Sequence, residues 1–265
     1  MAVTETPREY QTPEVPRNPS GVHQPVVICI DTSGSMKDKE DGSKEKFKIV
    51  EDMINDLTNM KLSEYDKENV EICILVFDDD VRTLVDWRSL SDFEGGVVLD
   101  DIAGTTSLGS AILESIEKTR ERRKVYAEAG IRSKRAQIFI YTDGVSTEDM
   151  TDAYNRSQEY LNREKPSAKM YITLIPPAAD PSQLIDLGTA VTIMVAKECE
   201  HGLPAAFEFM QGSIVSASVS AYGETTSTTV PDSIALVGRK GGDEKKNSDG
   251  TRTVEVATDG VWDLF

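Results

Sequence analysis

The chain has 265 residues, with 29 Lys and Arg against 46 Asp and Glu, a formal charge of −17. That length can hold one large α/β domain with a substantial core, plus extensions. The acidic balance argues against a nucleic-acid partner, which needs a basic stripe. Cys29, Cys73 and Cys199 are an odd number, and two of them fall in expected strands, so they read as buried reduced thiols. With only His23 and His201, there is almost no material for a histidine zinc site or a Ser-His-Asp triad.

Residues 1–24 carry Pro7, Pro13, Pro16 and Pro19 among polar side chains and read as an extended, flexible lead. Met1–Tyr10 lacks the basic-then-apolar layout of a signal peptide, and no apolar stretch approaches the roughly 18 residues of a membrane span. The cytoplasm is therefore the expected compartment. Val26–Ile30, unbroken and apolar after Pro25, suits a central strand of a parallel sheet. It ends in Asp31-Thr32-Ser33-Gly34-Ser35. A loop at the carboxyl end of such a strand is where open α/β sheets place ligands, and oxygen donors packed this densely suit a hard cation such as Mg²⁺.

Lys37–Lys44 is a charged loop, after which Phe47, Val50, Met53, Ile54, Leu57 and Met60 recur at helical spacing. Val70–Phe77 is apolar on both faces, hence central. Asp78–Asp80 turns it into Val81–Trp87, an antiparallel edge strand. Leu90–Ile102 is irregular or a short helix around Gly95-Gly96. Gly104–Ala111 opens a long helix with Leu108, Ile112, Leu113 and Ile116 inward. Lys118–Lys124 and Arg132–Arg135 form one basic region, read as a solvated helix face. Gly130 stops the helix, and Ala136–Tyr141 is a strand closing in Thr142-Asp143-Gly144. A helix around Met150–Leu161, a strand at Met170–Ile175 stopped by Pro176-Pro177, a short helix at Pro181–Leu187, a strand at Val191–Val195 and a closing helix at Leu203–Ser218 follow. Alternation of this kind implies an α/β, doubly wound, mostly parallel sheet with one antiparallel edge strand and helices on both faces. Residues 25–222 are expected to form that domain, and 223–265 a C-terminal extension in which Ile234–Val237 and Thr253–Val256 pair as a small hairpin.

Asp-x-Ser-x-Ser, a later Thr before a helix and a strand ending in Thr-Asp-Gly together resemble the metal-ion-dependent adhesion site of von Willebrand factor A domains. The resemblance runs over about residues 25–220, and all five ligand positions are matched, by Asp31, Ser33, Ser35, Thr106 and Asp143. It implies a Mg²⁺ ion (or Mn²⁺ or Ca²⁺) held by neutral hydroxyls, with the aspartates acting largely through water. It further implies an open position for a Glu or Asp side chain of a protein partner. In the second half, Tyr126, Gly130-Ile131, Arg135, Ile138-Phe139, Thr142–Gly144 and Val215–Ser218 resemble bacterial TerY-type (tellurium-resistance, YegL-like) A domains. Ala136-Gln137, Val145-Ser146 and the long extension depart from that pattern. The resemblance implies a scaffold in a bacterial stress, signalling or phage-defence system, beside a PP2C-type phosphatase or a protein kinase.

Taken singly, each candidate ligand has a plainer role, since Ser and Thr cap helices and Asp-Gly makes turns. Asp78–Asp80, Asp100-Asp101 and Glu148-Asp149 read as solvated acids on the same rim. The alternative function is a metal-dependent hydrolase or phosphatase at Asp31. An aspartic-protease loop would need Gly, and a haloacid-dehalogenase-type loop Asp, where Ser33 stands, and there is no phosphate loop. No His or Lys in an interpretable position offers a general base. A binding module, not an enzyme, is the expectation.

Overall fold

A computed structural model describes residues 15–16, 18–39, 44–161, 167–176, 181–185, 187–188, 190–221, 225–237, 244–248 and 251–257. Most of the proline-rich lead and the terminal Trp262 and Phe265 lie outside these residues. The main sheet is built from β1 (Val22–Asp31), β2 (Val70–Phe77), β3 (Val81–Ser89), β5 (Ala136–Thr142), β6 (Ala168–Leu174), β7 (Val191–Ala196) and β9 (Ile234–Val237). Their order across the sheet is β3-β2-β1-β5-β6-β7-β9, with the two-residue β4 (Arg132–Ser133) pairing beside the start of β1. The pairs β1–β2, β1–β5, β5–β6 and β6–β7 are parallel, and β3 runs antiparallel to β2 at one edge.

The apolar runs explain this order. β2, β5 and β6 are buried at every position, as strands covered on both faces must be. β3 is exposed at alternate positions, which fits only an edge. Helices supply the two covers. Val26, Ile28 and Ile30 of β1 face α1 (Lys46–Asn55) and α5 (Cys199–Val219), through Val50, Ile54, Leu203, Met210 and Ile214. Val27 and Cys29 face α3 (Leu108–Glu128) and α4 (Thr151–Leu161), through Leu108, Ile112, Ile116 and Leu161. Alternation along one strand thus feeds two separate cores. Gly130, at φ +67°, ends α3 in the left-handed conformation that a Cβ disfavours.

Several boundaries and pairings differ from the sequence reading. β1 starts at Val22, and a short α2 (Glu64–Asn69), capped by Ser63 accepting from the Asp66 amide, precedes β2. α5 begins at Cys199 and runs through Pro204. A proline this near the start forfeits a single intrahelical bond. Ile234–Val237 and Thr253–Val256 are both extended but do not pair with each other. β9 instead joins β7 as a second antiparallel edge of the main sheet. β11 (Arg252–Ala257) pairs with β8 (Thr225–Val230) and β10 (Glu244–Lys246) in a three-stranded antiparallel sheet. Val230, Ile234 and Val254 are fully buried in the core that contains α5. Burying those three apolar side chains favours this arrangement over an isolated hairpin, which is marginal in water.

The basic region is a solvated face only in part: Arg120, Lys124 and Arg132 are exposed. Arg122, Lys134 and Arg135 are buried. Arg122 donates to both Glu71 carboxylate oxygens, Tyr126 also donates to Glu71, and Lys134 donates to the Ala217, Ser218 and Ser220 carbonyls at the end of α5. A buried charge requires a partner, and Arg122 and Lys134 have theirs in these contacts.

Candidate metal centre

β1 connects through α1 and α2 to β2 on one side, whereas β5 lies on its other side after α3. The strand order therefore reverses between β1 and β5, which opens a crevice beyond their carboxyl ends. The register sets Ile30 beside Tyr141, so that Asp31 and the Thr142-Asp143-Gly144 turn meet at that crevice. Thr142 Oγ1 donates to Asp31 Oδ2 at 2.5 Å, and the Ser33 amide donates to Asp31 Oδ1 at 2.8 Å. Ser33 Oγ lies 3.3 Å from Ser35 Oγ, and Ser35 Oγ donates to Asp143 Oδ1 at 2.7 Å. Four of the five expected residues thus belong to one hydrogen-bonded cluster.

The fifth arrives on the loop before α3. Ala103 N–H donates to Thr32 O and Gly34 N–H to Gly104 O, tying this loop to the first. Thr106 is buried against the Asp-Gly turn: a Cβ added at Gly144 would lie 2.8 Å from Thr106 Oγ1. Thr147 N–H donates to Thr106 O from the other side. The loop is held by carboxylates that the sequence reading took as solvated. Asp79 accepts from the Thr105 amide and hydroxyl, both at 2.7 Å. Glu148 accepts from the Ser110 amide at 2.6 Å and hydroxyl at 2.9 Å at the start of α3. Asp78 accepts from Thr32 and Arg82. Asp149 instead holds the start of α4 by accepting from the Thr151 amide. Asp100 and Asp101 are exposed.

Burial pushes the Asp31 carboxyl up to about 6, against the Ser33 and Thr142 hydrogen bonds that lower it, with the nearby Asp143 charge pushing the same way as burial. Two buried, mutually repelling carboxylates lined by hydroxyls suit a hard divalent cation, which supplies the charge they lack. Among the described residues no three His, Cys, Asp or Glu side chains group to hold a metal. The donor set that fits is two carboxylates and three hydroxyls.

One site residue was absent from the sequence reading. Lys46, the first residue of α1, donates from Nζ to Asp143 Oδ2 at 2.5 Å, with side-chain exposures of 3% and 1%. The sequence reading places no lysine at this site. In sequence Lys46 is one of several lysines in a charged stretch, 97 residues from its partner, and no motif marks it. His23 is buried at the start of β1, roughly 26 Å along the strand from Asp31, and His201 is exposed near the start of α5.

Residues 26–145 match the model of the family described as the von Willebrand factor type A domain, a stretch that contains all five candidate residues and Lys46. The sheet is that class's mostly parallel α/β fold. Solved structures agree on the fold. Proximal thread matrix protein 1 from the mussel byssus, in a form with a zinc-occupied MIDAS motif, superposes with a TM-score of 0.52 at 14% identity, covering 73% of this chain and 46% of that one. The pilus adhesin SpaC from Lactobacillus rhamnosus GG gives 0.54 at 12% identity, covering 90% and 38%. The ArnB paralog VWA2 from Sulfolobus acidocaldarius gives 0.51 at 16% identity, covering 89% and 57%. This chain therefore spans about half the length of those proteins or less. No curated protein matches the sequence. Among the described residues no helix is long and apolar enough to cross a membrane.

Proposed function

We propose that this chain is a metal-dependent protein-binding module in which Asp31, Ser33, Ser35, Thr106 and Asp143 hold a divalent cation, Mg²⁺ in the first instance. The observation that carries the reading is the single cluster linking Asp31, Ser33, Ser35 and Asp143 across two loops more than a hundred residues apart in sequence. Domains of this class are typically interaction modules built on a metal site, and the mussel protein carries zinc in its own motif, which supports a divalent ion as the occupant. When bound, such an ion offers a Lewis-acidic position to an anionic oxygen, which a partner's Glu or Asp would supply. Ser33, Ser35 and Thr106 contribute no charge, so the ion's attraction for that carboxylate is little diminished.

The resemblance of Tyr126–Gly144 and Val215–Ser218 to TerY-type domains supports a place in a bacterial stress, signalling or phage-defence system, in the cytoplasm, with a PP2C-type phosphatase or a protein kinase as partner. A hydrolase at Asp31 has less support. His23 lies far along β1 from Asp31, and Lys46 is engaged as a hydrogen-bond donor to Asp143.

Calorimetry tests the metal. For a dissociation constant of about 1 mM, ~10 mM Mg²⁺ adds about 1.4 kcal/mol to stability. That raises Tm by about 2–4 °C in a domain of this size. Asp31→Asn keeps the Ser33 contact but removes a charge, and should lose most of the rise. Equal shifts in both proteins at matched ionic strength would remove Asp31 from any metal site.

A further inference from the structure

We propose that the Lys46 ammonium is a resident counter-cation: it holds Asp143 while no divalent ion is bound and competes with that ion for the carboxylate, so that loading the site releases Lys46. This rests on the metal-binding reading above and adds a residue to it. Both oxygens of Asp143 are already engaged, Oδ1 by Ser35 and Oδ2 by Lys46. The two donors are not equivalent. A hydroxyl carries lone pairs as well as a proton, so Ser35 can rotate its proton aside and remain as a ligand. An ammonium has three donors and no acceptor, so it cannot turn a lone pair toward a cation.

Charge gives the same result. Asp31 and Asp143 together balance one divalent ion, which leaves no carboxylate in the cluster to neutralise Lys46 beside it. A lone ammonium buried against a divalent ion would be both repelled and desolvated. Lys46 also has somewhere to go. It is the first residue of α1, with its backbone N–H on Asp38 O, and its four-carbon stem can swing outward without unwinding the helix.

Two measurements on the full chain decide the matter. In Lys46→Met, which keeps the stem and loses the charge, the Mg²⁺ dissociation constant from calorimetric titration should fall about tenfold or more. In the wild-type protein, acetylation of Lys46 by acetic anhydride, read by peptide mass spectrometry, should speed up several-fold on adding Mg²⁺. Exposed Lys61 serves as the internal control and should not change. The second measurement needs no variant and stands even if Lys46→Met fails to fold. Mg²⁺ affinity equal to or weaker than wild type in Lys46→Met, or unchanged labelling of Lys46 in protein that demonstrably binds Mg²⁺, overturns the proposal. Absence of Mg²⁺ binding in both wild type and Lys46→Met overturns the metal reading itself, which is a different result.

Discussion

At the residue scale the site depends on small side chains as much as on ligands. Gly144 leaves the space that Thr106 fills. An alanine there would bring its Cβ within 2.8 Å of Thr106 Oγ1 and 3.3 Å of its Cγ2. Gly144→Ala should therefore push Thr106 aside at a cost of about 1–2 kcal/mol in stability, and the Mg²⁺-dependent rise in Tm should shrink with it. An undiminished rise would show that Thr106 is no ligand. The thiols make a second prediction. Burial pushes Cys73 up to about 12 and Cys29 further still. A raised value in the fold means that the unfolded chain releases its protons first. The stability these thiols contribute is full below their ordinary value near 9.0 and is lost as pH rises from there toward 12. Iodoacetamide at pH 8 should leave both cysteines unlabelled in native protein and modify them in denaturant, as peptide mapping would report.

At the element scale α5 has an unusual C-terminal clamp. The last carbonyls of a helix lack intrahelical donors and sit at the negative end of its dipole. Here the buried Lys134 ammonium from the β4–β5 junction serves the Ala217, Ser218 and Ser220 carbonyls together. Lys134→Met removes all three contacts at once. Hydrogen bonds to a charged group are worth about 1.5–3 kcal/mol, so the unfolding free energy should fall by about that much or more, and the denaturation midpoint with it. Amide exchange should quicken in the last turn of α5 before it does in α3, whose end rests on Gly130. A midpoint within error of wild type would reduce Lys134 to a bystander.

At the scale of the whole molecule the C-terminal strands belong to the fold. β9 covers the free edge of β7, and β8 and β11 place Val230 and Val254 in the core beside α5. A chain ending at residue 221 should lose the burial of Val230, Ile234 and Val254, about 5 kcal/mol at ordinary burial energies. It would also present β7 as an unpaired edge, which invites association between chains. A lower guanidinium midpoint together with heavier species in sedimentation is expected. An unchanged midpoint in a monomeric truncated protein would make the extension an independent appendage after all.

The sequence by itself determined what is local or repeats with a fixed period. Val26–Ile30 and Val70–Phe77 had to be central strands because both of their faces are apolar, and Leu108–Ile116 had to be one face of a helix. Asp31, Ser33, Ser35, Thr106 and Asp143 could be named as candidates through their resemblance to the metal-ion-dependent adhesion site, whose residues lie in short local motifs at strand ends and before a helix. Tertiary structure alone decided what depends on which segments meet. Lys46 looks like its neighbouring lysines until α1 packs its first turn over Asp143. Arg122 and Lys134 look like surface charge until Glu71 and the end of α5 are placed beside them. Strand character in Ile234–Val237 was legible, but its partner was not. A strand presents the same row of hydrogen-bond groups to any neighbour, so β9 pairs with β7 for the core that burying Ile234 completes.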